Sequence, residues 1–284
     1  MRTVRTVAEL RAALAPERAA GRTVGLVPTM GFFHDGHLSL MRTAGDQNDV
    51  VVVSLFVNPA QFGPSEDLDA YPRDEARDAA LAEELGVDVL FAPSVEEVYP
   101  DGFGTTVSVA GLTGVLDGHP ERRGRAHFDG VTTVVTKLFN MAQPRHAYFG
   151  QKDAQQALVI KRLVRDLDIP VEIVVVATVR DADGLALSSR NAYLTDEERE
   201  RALGLSRALD AADREVAAGR RDAQSVLAAA SRELDARGIE PEYLELRSAT
   251  DLSPALRVNG NTLLAVAARV GRARLIDNTT LGGA

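Results

Sequence analysis

The chain has 284 residues, 45% hydrophobic and 26% charged, which suits a globular fold of one large or two modest domains with a sizeable core. A formal net charge of −9 argues against a general nucleic-acid surface, yet it leaves room for one basic pocket holding a small phosphorylated ligand. With no cysteine, disulfides, thiolate metal sites and thioester catalysis are excluded, and a reducing cytoplasm fits.

The opening segment, MRTVRTVAELRAALAPERAAG, mixes arginine with glutamate and predicts a strand and an amphipathic helix rather than a signal peptide. Strands are then expected over Thr23–Thr29, Asp49–Asn58, Val87–Pro93, His146–Gly150 and Val171–Val179. Several are almost wholly apolar, as in strands buried on both faces of a parallel sheet. Helical patterns fall between them, at His37–Gln47, Arg73–Leu85, Val131–Met141 and Gln155–Leu167. That alternation predicts an α/β fold with a Rossmann-like, doubly wound parallel sheet over residues 1–178, carrying ligands beyond the carboxyl ends of its strands. The longest apolar runs, Val50–Val53 and Leu55–Val57, fall far short of the ~20 residues of a membrane span.

After about Val179 the pattern changes. Thr195 and Glu198 in LTDEER form a capping box that opens a helix, and a second amphipathic stretch runs over Asp222–Arg237. Three β-type runs follow: PEYLELR, NTLLAVAARV and ARLIDNT. Residues 179–284 are thus expected to form a smaller C-terminal α+β domain with an antiparallel sheet.

Four segments carry candidate chemistry. In TMGFFHDGHLSL a strand ends, glycines follow at Gly31 and Gly36, and a helix is expected from about His37. Glycine permits close approach of a ligand, and a helix N-terminus offers N–H groups and a positive dipole end. His34 and His37 would add donors to the same anion site; capping or packing is the alternative for both. Zinc is disfavoured, because no H-E-x-x-H pattern and no third ligand stand nearby. In FVNPAQFGPSEDLDAYPR, Gln61 follows a strand end and offers a neutral amide. FGQKDAQQ places Gly150, Gln151, Lys152 and Asp153 at a strand-to-helix junction, with Gln155 and Gln156 beyond. DGLALSSRN sets Leu187, Ser188, Ser189 and Arg190 after a turn, a hydroxyl and guanidinium set suited to phosphate. Lysine occurs only at Lys137, Lys152 and Lys161, against an otherwise arginine-based positive charge. A lysine in a polar loop marks either a demand for a compact ammonium or drift under that bias. Neither G-x-x-x-x-G-K-[ST] nor G-x-G-x-x-G occurs.

PTMGFFHDGHLSL, FVNPAQFGPSEDLDAYPR, HFDGVTTVVTKLFN, FGQKDAQQ and DGLALSSRNAYL, in this order, resemble the motifs of the pantothenate synthetase (pantoate–β-alanine ligase) family, and YLELR and RLIDN continue the likeness. The resemblance implies an ATP-dependent ligase of the nucleotidyltransferase superfamily. Pantoate and ATP would give pantoyl adenylate and pyrophosphate, and β-alanine would displace AMP to form pantothenate. It implies ATP contacts along Met30, Gly31, Phe32, Phe33, His34, Asp35, Gly36 and His37, at Gly150, Gln151, Lys152 and Asp153, and at Val179, Leu187, Ser188, Ser189 and Arg190. His34, His37 and Lys152 would be catalytic, with His37 the foremost proton donor, and Gln61 and Gln156 would hold pantoate or β-alanine. It further implies Mg²⁺ on the ATP phosphates with no protein metal site, a homodimer in the cytoplasm, no nucleic-acid or membrane partner, and a C-terminal domain acting as a lid over the water-sensitive adenylate.

The segment departs from the family pattern at Phe32 and Phe33, which replace smaller residues, and at Gln151, where glutamate is usual. In ERRGRAHF the family arginine falls on Gly124, which leaves Arg123 and Arg125 as alternatives for a phosphate contact. Two rival functions are an adenylyltransferase acting on a phosphorylated acceptor, which has no use for the paired amides Gln61 and Gln156, and a catalytically idle nucleotide-binding scaffold. An aminoacyl-tRNA synthetase is disfavoured by the acidic charge and the lack of room for an anticodon-binding domain.

Overall fold

The structure, a computed structural model, describes residues 1–63 and 68–282; residues 64–67 of the FVNPAQFGPSEDLDAYPR motif lie outside the described residues. In chain order the elements are β1 (Arg2–Val4), α1 (Val7–Ala19), β2 (Val24–Thr29), α2 (Asp35–Gln47), β3 (Val50–Leu55), α3 (Glu75–Glu84), β4 (Val89–Phe91), the single turn α4 (Val95–Val98), α5 (Arg125–Ala142), β5 (His146–Gly150), α6 (Ala154–Asp166) and β6 (Glu172–Val176). Then come α7 (Asp196–Ala217), α8 (Ala223–Asp235), β7 (Pro241–Ser248), β8 (Thr262–Val270) and β9 (Ala273–Leu281).

Two compact units result. One comprises Met1–Gly150 with Gln156–Ala177, the other Gln151–Gln155 with Thr178–Ala284. The chain therefore crosses between units at residues 150–156 as well as near residue 178, where the sequence reading drew its single boundary.

The first unit is a six-stranded, all-parallel sheet in the order β1-β4-β3-β2-β5-β6. Its apolar runs are buried in place: Leu26, Val27, Val52, Val53, Leu90 and Phe91 have no exposed surface. Strand order reverses between β2 and β5, and the pairing there is short. Those two strands are in register only at Gly25–His146 and Leu26–Ala147, whereas β2 pairs β3 as far as Thr29–Leu55 and β5 pairs β6 as far as Gly150–Val176. The carboxyl halves of β2 and β5 thus part at the topological switch point, where open α/β sheets bind ligands. Pro28 fits this opening. It shares strand parity with Val24, whose carbonyl accepts the Arg145 N–H, so its missing N–H faces β5 beyond the last paired residue.

The second unit is an antiparallel sheet β7-β8-β9 with α7 and α8. Thr195 and Glu198 form the expected capping box of α7, each side chain meeting the other residue's backbone N–H at 3.2 Å and 2.9 Å. One apolar cluster joins Leu205, Leu209 and Ala212 of α7 and Val226 of α8 to Leu264 and Val266 of β8. No helix among the described residues is long and apolar enough to cross a membrane.

Candidate active site

The segment after β2 is built by short-range bonds. Thr29 Oγ1 donates to the Ser54 carbonyl at 2.7 Å and accepts the Gly31 N–H at 3.3 Å. Gly31 has φ +87°, and a Cβ there would come within 2.6 Å of Leu55 Cδ1, so both backbone and space demand glycine. Phe32 also adopts positive φ, +53°, which strains a side-chain-bearing residue. Asp78 of α3, 1% exposed, secures that conformation by accepting the Phe32 N–H at 2.6 Å and the Phe33 N–H at 2.7 Å. Beside it Arg77 donates to the Phe33 carbonyl at 3.0 Å and lies 5.4 Å above the Phe32 ring. Burial pushes the Asp78 carboxyl up, against the two N–H donors and Arg77, which favour its charged form.

These contacts assign the two phenylalanines. Phe33 is 1% exposed and packs with Val27, Leu40, Met41, Val53 and Leu90, pinning the loop to the sheet. Its side chain lies in the core. Phe32 is held from outside by Arg77. Neither Phe32 nor Asp78 could be paired from the sequence, because the carboxylate lies 46 positions downstream in an ordinary amphipathic helix.

Helix α2 begins at Asp35, two residues earlier than expected, so both histidines sit in its cap. His34 is the N-cap, and its Nδ1 accepts the Gly36 N–H at 3.2 Å. His37 Nδ1 accepts the His34 N–H at 3.3 Å, which closes a reciprocal cap built from imidazoles. The ring centroids are 4.2 Å apart. With Nδ1 used as acceptor, the neutral ring carries its proton on Nε2, so both rings are Nε2–H donors. Capping, one of the alternatives at the level of sequence, thus uses Nδ1 of both rings. Gly36 lies inside the first helical turn, and it is not among the positive-φ glycines.

Gln61 ends a 3₁₀ turn, Pro59–Gln61, capped by Asn58. The amide of Gln61 is 9% exposed; its Nε2 meets Met30 Sδ at 3.0 Å and its Oε1 accepts from Asn58 Nδ2 at 3.2 Å. Asn58 is fixed in turn by the Gly130 carbonyl at 3.1 Å and by the Tyr99 hydroxyl at 2.8 Å. Burial raises that hydroxyl to about 12, against the opposing bond to Asn58, so it stays a donor at neutral pH. From α5, His127 Nδ1 donates to the Gln61 carbonyl at 2.7 Å, while its Nε2 faces Arg123 Nη1 at 3.0 Å. The HFDG motif is thereby explained as the support of Gln61. Arg125 lies 3.8 Å from Asp129 across one helical turn. Gln156 stands half-buried in the first turn of α6.

In the second unit, Gln151–Asp153 form a 3₁₀ turn. The Lys152 ammonium is 4.0 Å from Asp153 Oδ1. Asn278 of β9 donates from Nδ2 to the carbonyls of both Gln151 (3.0 Å) and Lys152 (2.8 Å), and accepts from Gln151 Nε2 at 3.1 Å. Its neighbour Asp277 holds Arg180 through two bonds of 2.6 Å and 3.0 Å. The Leu187 N–H bonds the Val179 carbonyl at 3.0 Å, and Ser188 Oγ caps the next turn by accepting the Arg190 N–H at 3.3 Å. Ser189 is buried. Among the described residues no group of three or more His, Asp or Glu side chains stands together as a metal site.

The first unit thus presents imidazoles and neutral amides, and the second an ammonium, hydroxyls and a guanidinium. A family model described as pantoate–β-alanine ligase matches residues 2–280. The chain belongs to the pantoate–β-alanine ligase family. The chain is 55% identical to a pantothenate synthetase of Moorella thermoacetica, with 99% of both chains covered, and 53% identical to one of Pelotomaculum thermopropionicum, with 98% of both covered. A crystal structure of pantothenate synthetase from Thermus thermophilus is similar over 99% of both chains, with TM-score 0.93 and 51% identity. A pantoate–β-alanine ligase of Francisella tularensis, complexed with beta-gamma ATP and beta-alanine, is 34% identical with TM-score 0.81 over the full length of both chains. Members of this ligase family join pantoate to β-alanine, and the chain is an enzyme of that kind.

Proposed function

We propose that the chain makes pantothenate in two steps through pantoyl adenylate. A pantoate carboxylate oxygen attacks the α-phosphorus of ATP, the bond from that phosphorus to the β-phosphate bridge breaks, and pyrophosphate leaves. The β-alanine amine then attacks the acyl carbon, the bond to the AMP phosphate breaks with AMP as leaving group, and the amine gives up its proton. Negative charge accumulates on departing oxygens in both steps, so catalysis depends on positioned donors.

The observation that carries this reading is the imidazole cap of α2, in which Nδ1 of both rings accepts a backbone N–H at a helix N-terminus and the ring proton falls to Nε2. In this reading His34 and His37 hold ATP phosphates, and the Nε2–H of His37 donates a hydrogen bond to the leaving oxygens as they take up charge. Lys152, Ser188, Ser189 and Arg190 supply further phosphate donors, and Asp153 accepts from ribose. Backbone groups of Met30–Gly36, Gly150, Gln151, Val179 and Leu187 border the nucleotide, while Gln61 and Gln156 bind pantoate without adding charge. The complex of the Francisella relative with beta-gamma ATP and beta-alanine supports both ligands. The donor set of the loops fits phosphate anions and not a cation, so Mg²⁺ is assigned to ATP itself, where it shares the phosphate charge.

The test is release of AMP from ATP, Mg²⁺ and pantoate, with and without β-alanine. Stoichiometric AMP that requires both acids is expected; transfer of AMP to a phosphorylated acceptor, or no turnover, would overturn the reading. A cytoplasmic homodimer is part of the same proposal, and sedimentation at micromolar concentration checks the oligomeric state.

A further inference from the structure

The RLIDN segment near the end of the chain has no place in the reaction as written, yet two of its residues are among the few buried polar side chains of the second unit. Asp277 is 3% exposed and Asn278 5%. Neighbouring residues on a strand point to opposite faces. Asp277 is occupied by Arg180, whereas Asn278 is directed at the turn that carries Lys152. Both N–H bonds of the Asn278 amide are used, one on the Gln151 carbonyl at 3.0 Å and one on the Lys152 carbonyl at 2.8 Å. The amide oxygen takes a third bond, from Gln151 Nε2 at 3.1 Å.

We infer that Asn278 is a positioning residue for Lys152, and that Gln151 is its partner in that role. The inference rests on the assignment of Lys152 to the ATP phosphates. Two successive carbonyls held by one planar amide fix both peptide planes flanking the Lys152 Cα, and with them the direction in which the four-carbon side chain leaves the backbone. A lysine placed this way loses less freedom when it meets a phosphate oxygen than one on a mobile loop. Asparagine suits the position because a carboxylate of the same shape would turn acceptors toward two carbonyls. The same logic accounts for Gln151, the glutamine found where glutamate is usual in the family: its Nε2–H gives the Asn278 oxygen a donor that a carboxylate lacks.

The experiment compares Asn278→Leu, Asn278→Asp, Gln151→Leu, Lys152→Ala and the double variant Lys152→Ala/Asn278→Leu in the full chain. ATP and pantoate are each varied in steady-state assays, and thermal unfolding is followed alongside. Asn278→Leu and Asn278→Asp are expected to lower kcat/KM for ATP by about tenfold or more, with KM for pantoate within about twofold of wild type. Gln151→Leu should shift the same parameter in the same direction but less, and it leaves the buried Asn278 in place should the other variants fail to fold. Adding Asn278→Leu to Lys152→Ala should cost nothing further, because the positioned group is already gone. A merely structural role for Asn278 predicts a lower unfolding temperature with equal effects on both substrates, or losses that multiply in the double variant; either overturns the inference. If Lys152→Ala sharply lowers kcat/KM for ATP while Gln151→Leu and a folded Asn278→Leu stay near wild type, this inference alone fails. If Lys152→Ala itself stays near wild type, the phosphate role of Lys152 and the inference fall together.

Discussion

Asp78 is an acid that the fold buries and uses as an acceptor. Its two oxygens accept the N–H groups of Phe32 and Phe33, the residues that take the chain through a positive φ into the histidine cap. Asp78→Asn keeps the shape but turns an NH₂ group toward one of those N–H bonds, which leaves a buried donor unmet at a cost of about 1–3 kcal/mol. Turnover should fall with stability, since the loop that orients His34 and His37 loses an anchor. The pH dependence of the difference has a definite sign. Burial raises the folded-state pKa of Asp78 above its unfolded value, so between the two the native state binds the proton more readily. Wild type should therefore gain stability relative to Asp78→Asn as pH falls from neutrality through the raised pKa, and the difference should level off below the ordinary carboxylate range. Urea titrations of both proteins across that range measure it, and a difference that moves the other way would show that the two N–H bonds dominate burial. His37→Ala separates chemistry from capping in the same loop. It removes one cap bond, worth about 1 kcal/mol, and so should leave the fold intact. AMP release should drop about a hundredfold or more, because the donor at the departing phosphate is gone. Near-normal turnover in a folded His37→Ala protein would refute the role of His37 at the departing phosphate.

Helix α5 shows how an element can be shaped for a site at the expense of its own propensity. Gly130 lies in its interior, where alanine would be favoured by about 1 kcal/mol on intrinsic grounds. A Cβ there, however, would collide with the Ala60 carbonyl oxygen and come within 2.7 Å of the Gln61 N, in the turn that carries the Gln61 amide. Overpacking against backbone costs about 1–3 kcal/mol and outweighs the propensity gain. Gly130→Ala should therefore destabilise the protein and raise KM for pantoate more than KM for ATP, and steady-state kinetics with each substrate varied in turn would check that order. The same glycine explains why the sequence pattern placed the helix start at Val131. A polar HFDG stretch reads as a loop until its tertiary contacts are seen, since His127 and Gly130 face the Gln61 turn. The apolar strands were legible because burial on both faces leaves little freedom in their composition, and the Thr195–Glu198 cap because it is local. What the sequence did not yield are pairs remote along the chain: Asp78 with the Phe32 segment, Tyr99 with Asn58, and Asn278 with Lys152. Each is a polar residue of ordinary type whose meaning lies only in its partner.

At the scale of the whole molecule the division into units does not follow the order of the chain, since Gln151–Gln155 belong with residues 178–284 while both flanking segments belong to the parallel sheet. A boundary read from a change in composition near Val179 could not reveal this, because five residues of mixed polarity carry no compositional signature. The energetics decide where that short segment gets its order. Fixing five backbone residues costs about 5–10 kcal/mol, whereas the three hydrogen bonds that join Asn278 to Gln151 and Lys152 return about 1.5–4.5 kcal/mol net. The bonds alone cannot hold the turn. Ala154 and Gln155 are also buried, and the turn is tethered at one end to β5 and at the other to α6, so it should be fully ordered only in the intact chain. A fragment of residues 178–284 retains its own core of α7, α8 and the antiparallel sheet, and a fragment of residues 151–284 adds the turn with only one tether. The two fragments should unfold at the same urea concentration, with the side-chain amide protons of Asn278 exchanging rapidly in both and slowly in the full-length protein. Slow exchange in the longer fragment, together with a higher urea midpoint than the shorter one, would mean that Asn278 alone suffices to build the turn and that the tethers are dispensable.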